Sequence, residues 1–332
     1  MDPGSPDATR TLHRGARQVL TAAKVIDGRA AAARLRAKLA DRVRTLLALH
    51  GIRPTLAVIR VGDDPSSAIY LRSMNNACAA AGLEFVSVGL PADVTTAALV
   101  KVVERLNADL AVHGILVQLP LPRNVELRRV LQSIAVAKDV EGVRLYDVGA
   151  LVVGDMVFPP CALPGVLKLL ESEGVSLEGE HVVVVGASNT VWQPLGLRLL
   201  QRGATVTVCQ ANTRDLTRYT IIADILIVAA GRPRLIVPSM VRTGAVVVDV
   251  GMNRLPDGSL TGDVEFEGVS AKATRITPVP GGVGPMIVAM LLENTVAAAE
   301  QASSAVESSA ERGAGPVSSS VPTTTGTATP LE

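Results

Sequence analysis

The sequence predicts a two-domain α/β protein with mainly parallel sheets and a cleft between the domains. Three observations carry this. Short aliphatic runs such as Thr55–Val61 (TLAVIRV), Gly114–Pro122 (GILVQLPLP) and His181–Gly186 (HVVVVG) are apolar on both alternating faces, as strands covered on two sides must be. Segments of helical periodicity separate them, so strand and helix alternate along the chain. The units also fall into two groups, two β/α units before Gly142 and several after Glu180, and the second group has the spacing of a doubly wound nucleotide-binding sheet. The first group then makes an N-terminal three-layer α/β domain and the second a C-terminal Rossmann-like domain.

In chain order, Ala30–Leu49 alternates Ala and Leu with Arg, Lys and Asp at helical spacing and stops at His50-Gly51. Thr55–Val61 is a strand. Val58–Met74, VIRVGDDPSSAIYLRSM, carries it through a Gly-Asp-Asp-Pro turn into a helix that runs to Ala80 and stops at Gly82, with Tyr70 on its early turns. That helix forms one wall of the cleft. Glu84–Gly89 is a second short strand, and Thr95 and Thr96 start a helix over Leu99–Leu106. The Gly114 strand delivers one amide, Gln118, at its carboxyl end. A polar residue between Val117 and Leu119 needs a partner when buried, so Gln118 is either a core amide satisfied by backbone or a ligand contact.

The second group opens with His181–Gly186, followed by SNTVWQP and a helix over Leu195–Gln201; a cofactor would lie at this first turn. Strands follow at Thr205–Cys209, Ile225–Ala229 and Ala245–Val250. Thr277–Met286, TPVPGGVGPM, packs three glycines and three prolines into ten residues, a rigid loop whose backbone can approach a flat ligand, and it is the far wall of the cleft. A last helix covers Pro285–Ala299.

A net charge of +1 on 332 residues points to no nucleic acid and no charged membrane surface as partner. Apolar runs such as Ile225–Ala230 and Ala245–Val248 are strand-length, short of the ~20 residues a membrane helix needs. Cys78, Cys161 and Cys209 are odd in number without CxxC spacing, and His13, His50, His113 and His181 are scattered, so no disulfide framework and no metal site is expected, and the cytoplasm is the expected compartment. Residues 1–21 lack the apolar core of a signal peptide and read as a disordered lead-in. Residues 300–332, rich in Ser, Thr, Gly, Ala and Pro, read as a disordered tail.

These stretches, together with KDVEG at Lys138–Gly142 and DVGMNR at Asp249–Arg254, resemble the bifunctional 5,10-methylenetetrahydrofolate dehydrogenase/methenyltetrahydrofolate cyclohydrolase family from about Lys24 to Ala299. The resemblance implies a folate and catalytic domain at 22–150, completed by the helix 285–299 packing back on it, a Rossmann-like domain at 151–284, and a homodimer. It also implies the site. Tyr70 would stack on the aminobenzoate of a reduced folate, Gln118 with Leu119 and Pro120 would lie near the one-carbon unit, Glu141 would hold the pterin, and Pro280, Gly281, Gly282 and Val283 would oppose them.

Several positions depart from the family pattern. The lysine that moves protons on the one-carbon unit is replaced by Met74, whose thioether has no proton to exchange. Loss of one such group typically costs ~10²–10⁴-fold in rate. Met74 is expected both to pack on the inner face of its helix, where Met fills irregular gaps, and to line the cleft, excluding water from a reactive iminium. In the NAD(P) loop, Gly186-Ala187-Ser188-Asn189-Thr190-Val191-Trp192-Gln193-Pro194, an indole stands where the second glycine lets the backbone approach the pyrophosphate. Gly186, Ser188, Trp192 and Gln193 therefore form a degenerate cofactor site, and Gln210-Ala211-Asn212 lacks the His-Ser pair that helps hold a 2′-phosphate. Pro160–Gly165 has lost the threonine hydroxyl of the pattern. Arg144 and Asp147 replace uncharged residues, as surface charges first and as cleft-mouth groups beside Glu141 second.

The leading expectation is a folate-dependent enzyme that uses 5,10-methylenetetrahydrofolate for non-redox methylene transfer to a small-molecule nucleophile, with Glu141, Gln118, Tyr70 and Met74 in the catalytic positions. An NAD(P)-dependent methylenetetrahydrofolate dehydrogenase with an altered loop is the alternative. A non-catalytic folate-binding paralogue is the third.

Overall fold

The computed structural model describes residues 22–313 except 64, 143, 145–156, 187–191 and 211, with backbone only at 65–69, 192–193 and 305–313. The lead-in 1–21, Asp147, Ser188 and residues 314–332 lie outside the described residues.

Two parallel sheets organise the chain. The smaller has the order β3-β2-β4, from β2 (Thr55–Val61), β3 (Glu84–Leu90) and β4 (Gly114–Val117). Alternate residues of β2 point into two different cores, as the two-residue period of a strand requires. Leu56 and Val58 face α1 (Gly28–His50) and α2 (Pro65–Ala81), whereas Ala57 and Ile59 face α3 (Thr96–Ala108) and α4 (Leu127–Ser133). Three layers result. Local chemistry sets the helix ends: the Asp27 carboxylate accepts from Ala30 N at 3.0 Å, the Thr95 hydroxyl accepts from Ala98 N at 3.2 Å, and Gly51 closes α1 in the left-handed region.

The larger sheet is six-stranded, ordered β1-β11-β8-β7-β5-β6. Its strands are β1 (Lys24–Val25), β5 (His181–Val185), β6 (Thr205–Cys209), β7 (Ile225–Val228), β8 (Val246–Asp249) and β11 (Arg275–Ile276), with the hairpin β9 (Asn253–Arg254) and β10 (Leu260–Thr261) outside it. Val182 and Val184 of β5 pack toward α5 (Ala162–Ser172) and α6 (Trp192–Gln201), and Val183 and Val185 pack on the other face. The strand order reverses between β5 and β7, which creates the crevice where doubly wound sheets bind ligands.

α7 (Val283–Gly313) joins the two halves, lying along α1 and α5 and feeding both cores. Three expectations are corrected. The first residues of the expected folate domain, from residue 22, belong with the other half, because β1 hydrogen-bonds to β11 of the larger sheet. The last helix continues through Gly313 rather than ending at Ala299; Ser303 is buried and Glu300 pairs with Arg42, so the first turns of the expected tail are held down. One helix, over Val283–Ser304, is long and apolar enough to cross a membrane, although 67% of that stretch is buried inside the protein, as suits a core helix.

Candidate active site

A cavity of about 480 Å³ opens between the sheets. One wall is α2, whose Tyr70, Ser73, Ala77 and Ala80 recur at helical spacing and share a face. The opposite wall is the loop Pro278–Pro285, including the expected Pro280, Gly281, Gly282 and Val283. The loop is seated tightly on α1: a Cβ at Gly28 would stand 1.7 Å from the Gly282 carbonyl oxygen, so only glycine permits the contact. The carboxyl end of β8, Asp249–Met252, forms the floor, and Arg29 and Arg36 of α1 complete the lining. These last groups were not singled out in the sequence. Their signal was available, as an i, i+7 pair of arginines and an aspartate ending an apolar strand.

Tyr70 is the hinge of the site. Its phenol is pushed well above the usual tyrosine range by burial first, then by the charges of Glu141 and Cys161, so it acts as a neutral hydrogen-bonding ring and not as a base. Glu141 is thus within electrostatic reach of Tyr70, although it is not among the residues lining the cavity. Its own carboxyl is pushed up to about 7 by burial first and by the Asp139 charge second. Asp139 is itself buried and accepts from Gly142 N and Arg144 N, each at 3.2 Å. The Glu141 backbone is fixed as well: Cys161 N donates to its carbonyl at 3.3 Å, and Asn294 of α7 donates to the Val140 carbonyl at 2.8 Å. A carboxyl on a fixed backbone and titrating near neutrality suits proton transfer.

Arg144 is half-buried, with Nε and Nη1 lacking a hydrogen-bond partner among the described residues. The surface position preferred from sequence is therefore corrected, because the Asp139 carboxylate draws its backbone inward. For Met74 the expected packing on the inner face holds and the expected place in the cleft lining is corrected. Met74 is 0% exposed and packs in the core with Leu39, Leu71 and Cys78, not in the cavity lining. Four residues beyond Tyr70, it falls on the α2 face turned toward β2 and α7, where an apolar thioether is stable and an ammonium would be desolvated.

Gln118 is half-buried at the end of β4. Its amide nitrogen donates to the Leu119 carbonyl at 3.0 Å and its backbone N to Ile59 O at 2.9 Å. Leu119 and Pro120 are exposed. These three sit beyond the cavity lining that Tyr70 shares with the loop.

The floor is built from two buried aspartates. Asp249 accepts from Gly251 N, Asp263 N and Val264 N at 2.9, 3.1 and 2.9 Å. Burial nevertheless dominates and pushes its carboxyl up to about 6. Asp263 accepts from Ala230 N, Gly231 N and Arg232 N at 2.6, 2.9 and 2.9 Å, and from Asn253 Nδ2 at 2.7 Å. At the crevice itself, Gly186 has φ 141°, and a Cβ there would lie 2.3 Å from the Ala229 carbonyl oxygen. Only glycine fits at this end of β5. Trp192 and Gln193 open α6, their side chains outside the described residues. Among the described residues, no group of three or more His, Cys, Asp or Glu side chains could hold a metal. Cys78, Cys161 and Cys209 are free and buried.

Residues 26–141 match the family model of the tetrahydrofolate dehydrogenase/cyclohydrolase catalytic domain, and residues 160–303 match that of its NAD(P)-binding domain. The chain is 52% identical over 280 residues to the bifunctional protein FolD of Nitrosospira multiformis, covering 84% of this chain and 97% of that one. It superposes on the crystal structure of the bifunctional methylenetetrahydrofolate dehydrogenase/cyclohydrolase of Campylobacter jejuni with a TM-score of 0.81 at 46% identity, covering 84% and 99% of the two chains. The enzyme of Trypanosoma brucei, solved with NADP cofactor and an inhibitor, matches with a TM-score of 0.81 at 38% identity, covering 85% and 99%.

Proposed function

The chain belongs to the tetrahydrofolate dehydrogenase/cyclohydrolase family, and from that premise we propose that it is a one-carbon folate enzyme which passes the methylene of 5,10-methylenetetrahydrofolate to a nucleophile, without ring hydrolysis or hydride transfer. The observation that carries this is Met74, fully buried and aprotic at the position of the family's proton-moving lysine. The remaining titratable group beside Tyr70, Glu141, suits the proton traffic of such a transfer. Opening of the five-membered ring leaves a methylene iminium on N5 and a proton on N10. The acceptor attacks the methylene and surrenders one proton, the C–N5 bond breaks as N5 takes a proton, and a second acceptor atom closes on the carbon. The acceptor exchanges two hydrogens for one CH₂, tetrahydrofolate leaves with both protons, and nothing is oxidised. Tyr70 supplies a stacking face, Gln118 a hydrogen bond near the carbon, and Pro280–Val283 the opposing wall.

An NAD(P)-dependent dehydrogenase lacking the cyclohydrolase step is the second reading, favoured by Gly186 at the crevice and by the matched NAD(P)-binding domain. When bound, NAD(P) would supply the hydride acceptor, with Gly186 and the start of α6 as its cradle. The two readings separate in one assay. With methylenetetrahydrofolate and NADP, methylene transfer gives no methenyl absorbance and releases labelled methylene to an added amine, whereas the dehydrogenase accumulates the methenyl product. Trp192→Gly is the control that reopens the cradle.

A cytoplasmic homodimer completes the proposal. Support comes from the edge of the larger sheet, where Val208 of β6 and Leu197 and Leu200 of α6 are exposed together. Sedimentation at micromolar concentration tests it, and a Val208→Lys variant should run as a monomer.

A further inference from the structure

We infer that a second cavity, bordered by the start of the Gly-Pro loop and separate from the folate cleft, binds a small zwitterion of the amino-acid class, with an ammonium and a carboxylate on a short aliphatic skeleton. The cavity measures about 280 Å³, at the small end of ligand pockets, which run from ~300 Å³ upward. It is lined by Arg234 from the loop after β7, by Glu265, Phe266 and Glu267 from the segment after β10, and by Pro278 and Val279. Asp249, Pro278 and Val279 border both cavities; Arg234, Glu265, Phe266 and Glu267 belong to the second alone. Two opposite charges stand ready there. The Arg234 guanidinium and the Glu267 carboxylate each lack an ion-pair or hydrogen-bond partner among the described residues, and although they share one lining they do not pair with each other. Glu265 accepts from a single donor, Gly268 N, at 3.3 and 3.2 Å to its two oxygens, which leaves acceptor sites open. Asp249 adds none, because its carboxylate is turned onto the amides of Gly251, Asp263 and Val264.

The backbone sets these charges on one frame. Arg234 has φ 51°, in the left-handed region that a long L side chain rarely adopts, and its N–H donates to the Gly262 carbonyl at 3.1 Å. Two residues on, Ile236 bridges Val264 in parallel; its N–H donates to the Asp263 carbonyl at 3.0 Å, and Glu265 N donates back to the Ile236 carbonyl at 2.8 Å. The segment that carries the guanidinium is therefore laced to the segment that carries the two glutamates. A simple anion would meet those glutamates in the same lining, and a simple cation would meet the guanidinium. A zwitterion satisfies both, with its carboxylate on Arg234 and its ammonium on Glu265 and Glu267. Phe266, Pro278 and Val279 supply apolar surface for the carbons between. The site does not depend on methylene transfer.

Ligand-observed NMR titration tests this with L-alanine, β-alanine and 4-aminobutanoate as probes and with butylamine and butanoate as single-charge controls. At least one of the three amino acids should bind the wild type saturably with a Kd of about 1 mM or tighter. It should bind about fivefold or more tightly than either control. Arg234→Gln and Glu267→Gln should each weaken it about fivefold or more, whereas Arg234→Lys, which keeps the charge, should retain most of the affinity. Thermal melts of the free variants should fall within about 3 °C of the wild type, which shows that they fold. The comparison among probes needs the wild type alone. No saturable binding of any of the three amino acids, binding of a single-charge control as tight as theirs, or amino-acid binding unmoved in both Gln variants overturns the site. A separate titration with tetrahydrofolate reads the folate cleft, and its failure strikes the folate reading while leaving this site standing.

Discussion

Two side chains, Glu141 and Met74, carry the proposed chemistry. Glu141 has a carboxyl raised from 4.5 to about 7 in the folded protein, so over that interval the native state holds more proton than the unfolded chain. The stability it contributes is complete below about pH 4.5 and is lost as pH rises through about 7, with a slope of at most ~1.4 kcal/mol per pH unit. Asp249 acts in the same direction between 3.8 and about 6. Glu141→Gln should flatten the upper part of this decline in urea melts at stepped pH and abolish an activity inflection near neutrality. Met74 predicts the complementary trade. Met74→Lys should bring methenyltetrahydrofolate hydrolysis above the buffer rate while lowering stability by about 2 kcal/mol or more, because an ammonium enters a fully packed core. Thermal melts and a methenyl-decay assay on the same preparation check both halves.

At the scale of elements, α7 and the loop before it hold the site in shape. Asn294 ties α7 to the Val140 and Pro159 carbonyls on either side of Glu141 and Cys161. Asn294→Ala removes both bonds, leaving the Val140 carbonyl only the Cys161 thiol at 3.2 Å, and should cost about 1–3 kcal/mol in urea unfolding, with a parallel loss of folate affinity as the Glu141 segment loosens. Gly28→Ala drives a Cβ into the Gly282 carbonyl and should displace the Pro278–Pro285 wall from α1, seen as weakened folate binding in calorimetry. Much of this architecture was legible from sequence. The strands Thr55–Val61 and Thr205–Cys209 are marked by aliphatic runs whose period is unambiguous, and Gly51 and Thr95 mark helix ends by known chemistry. What escaped depends on distant partners. β1 is two residues long and owes its strand character to β11, and the extension of α7 past Ala299 depends on Arg42 and on burial of Ser303. The site divides in the same way. Tyr70 and the Gly-Pro loop announce themselves by residue type, whereas the inward turn of Met74, the half-burial of Arg144 and the meeting of Arg29 with Arg36 in one cavity emerge from helix rotation and tertiary packing.

Across the whole molecule, two parallel sheets share one long helix, α7, which packs on both α1 and α5. Both family domains are matched, over residues 26–141 and 160–303, and the proposal of methylene transfer rests on Met74 within the first of them. The most direct test is the decay of 5,10-methenyltetrahydrofolate with purified wild-type protein across pH 6 to 8, a window of about one unit either side of the Glu141 carboxyl. We predict tight folate binding in the same samples and decay at the rate of buffer alone. Saturable acceleration of that decay by the wild type would show that ring hydrolysis survives with Met74 in place, and would contradict the account.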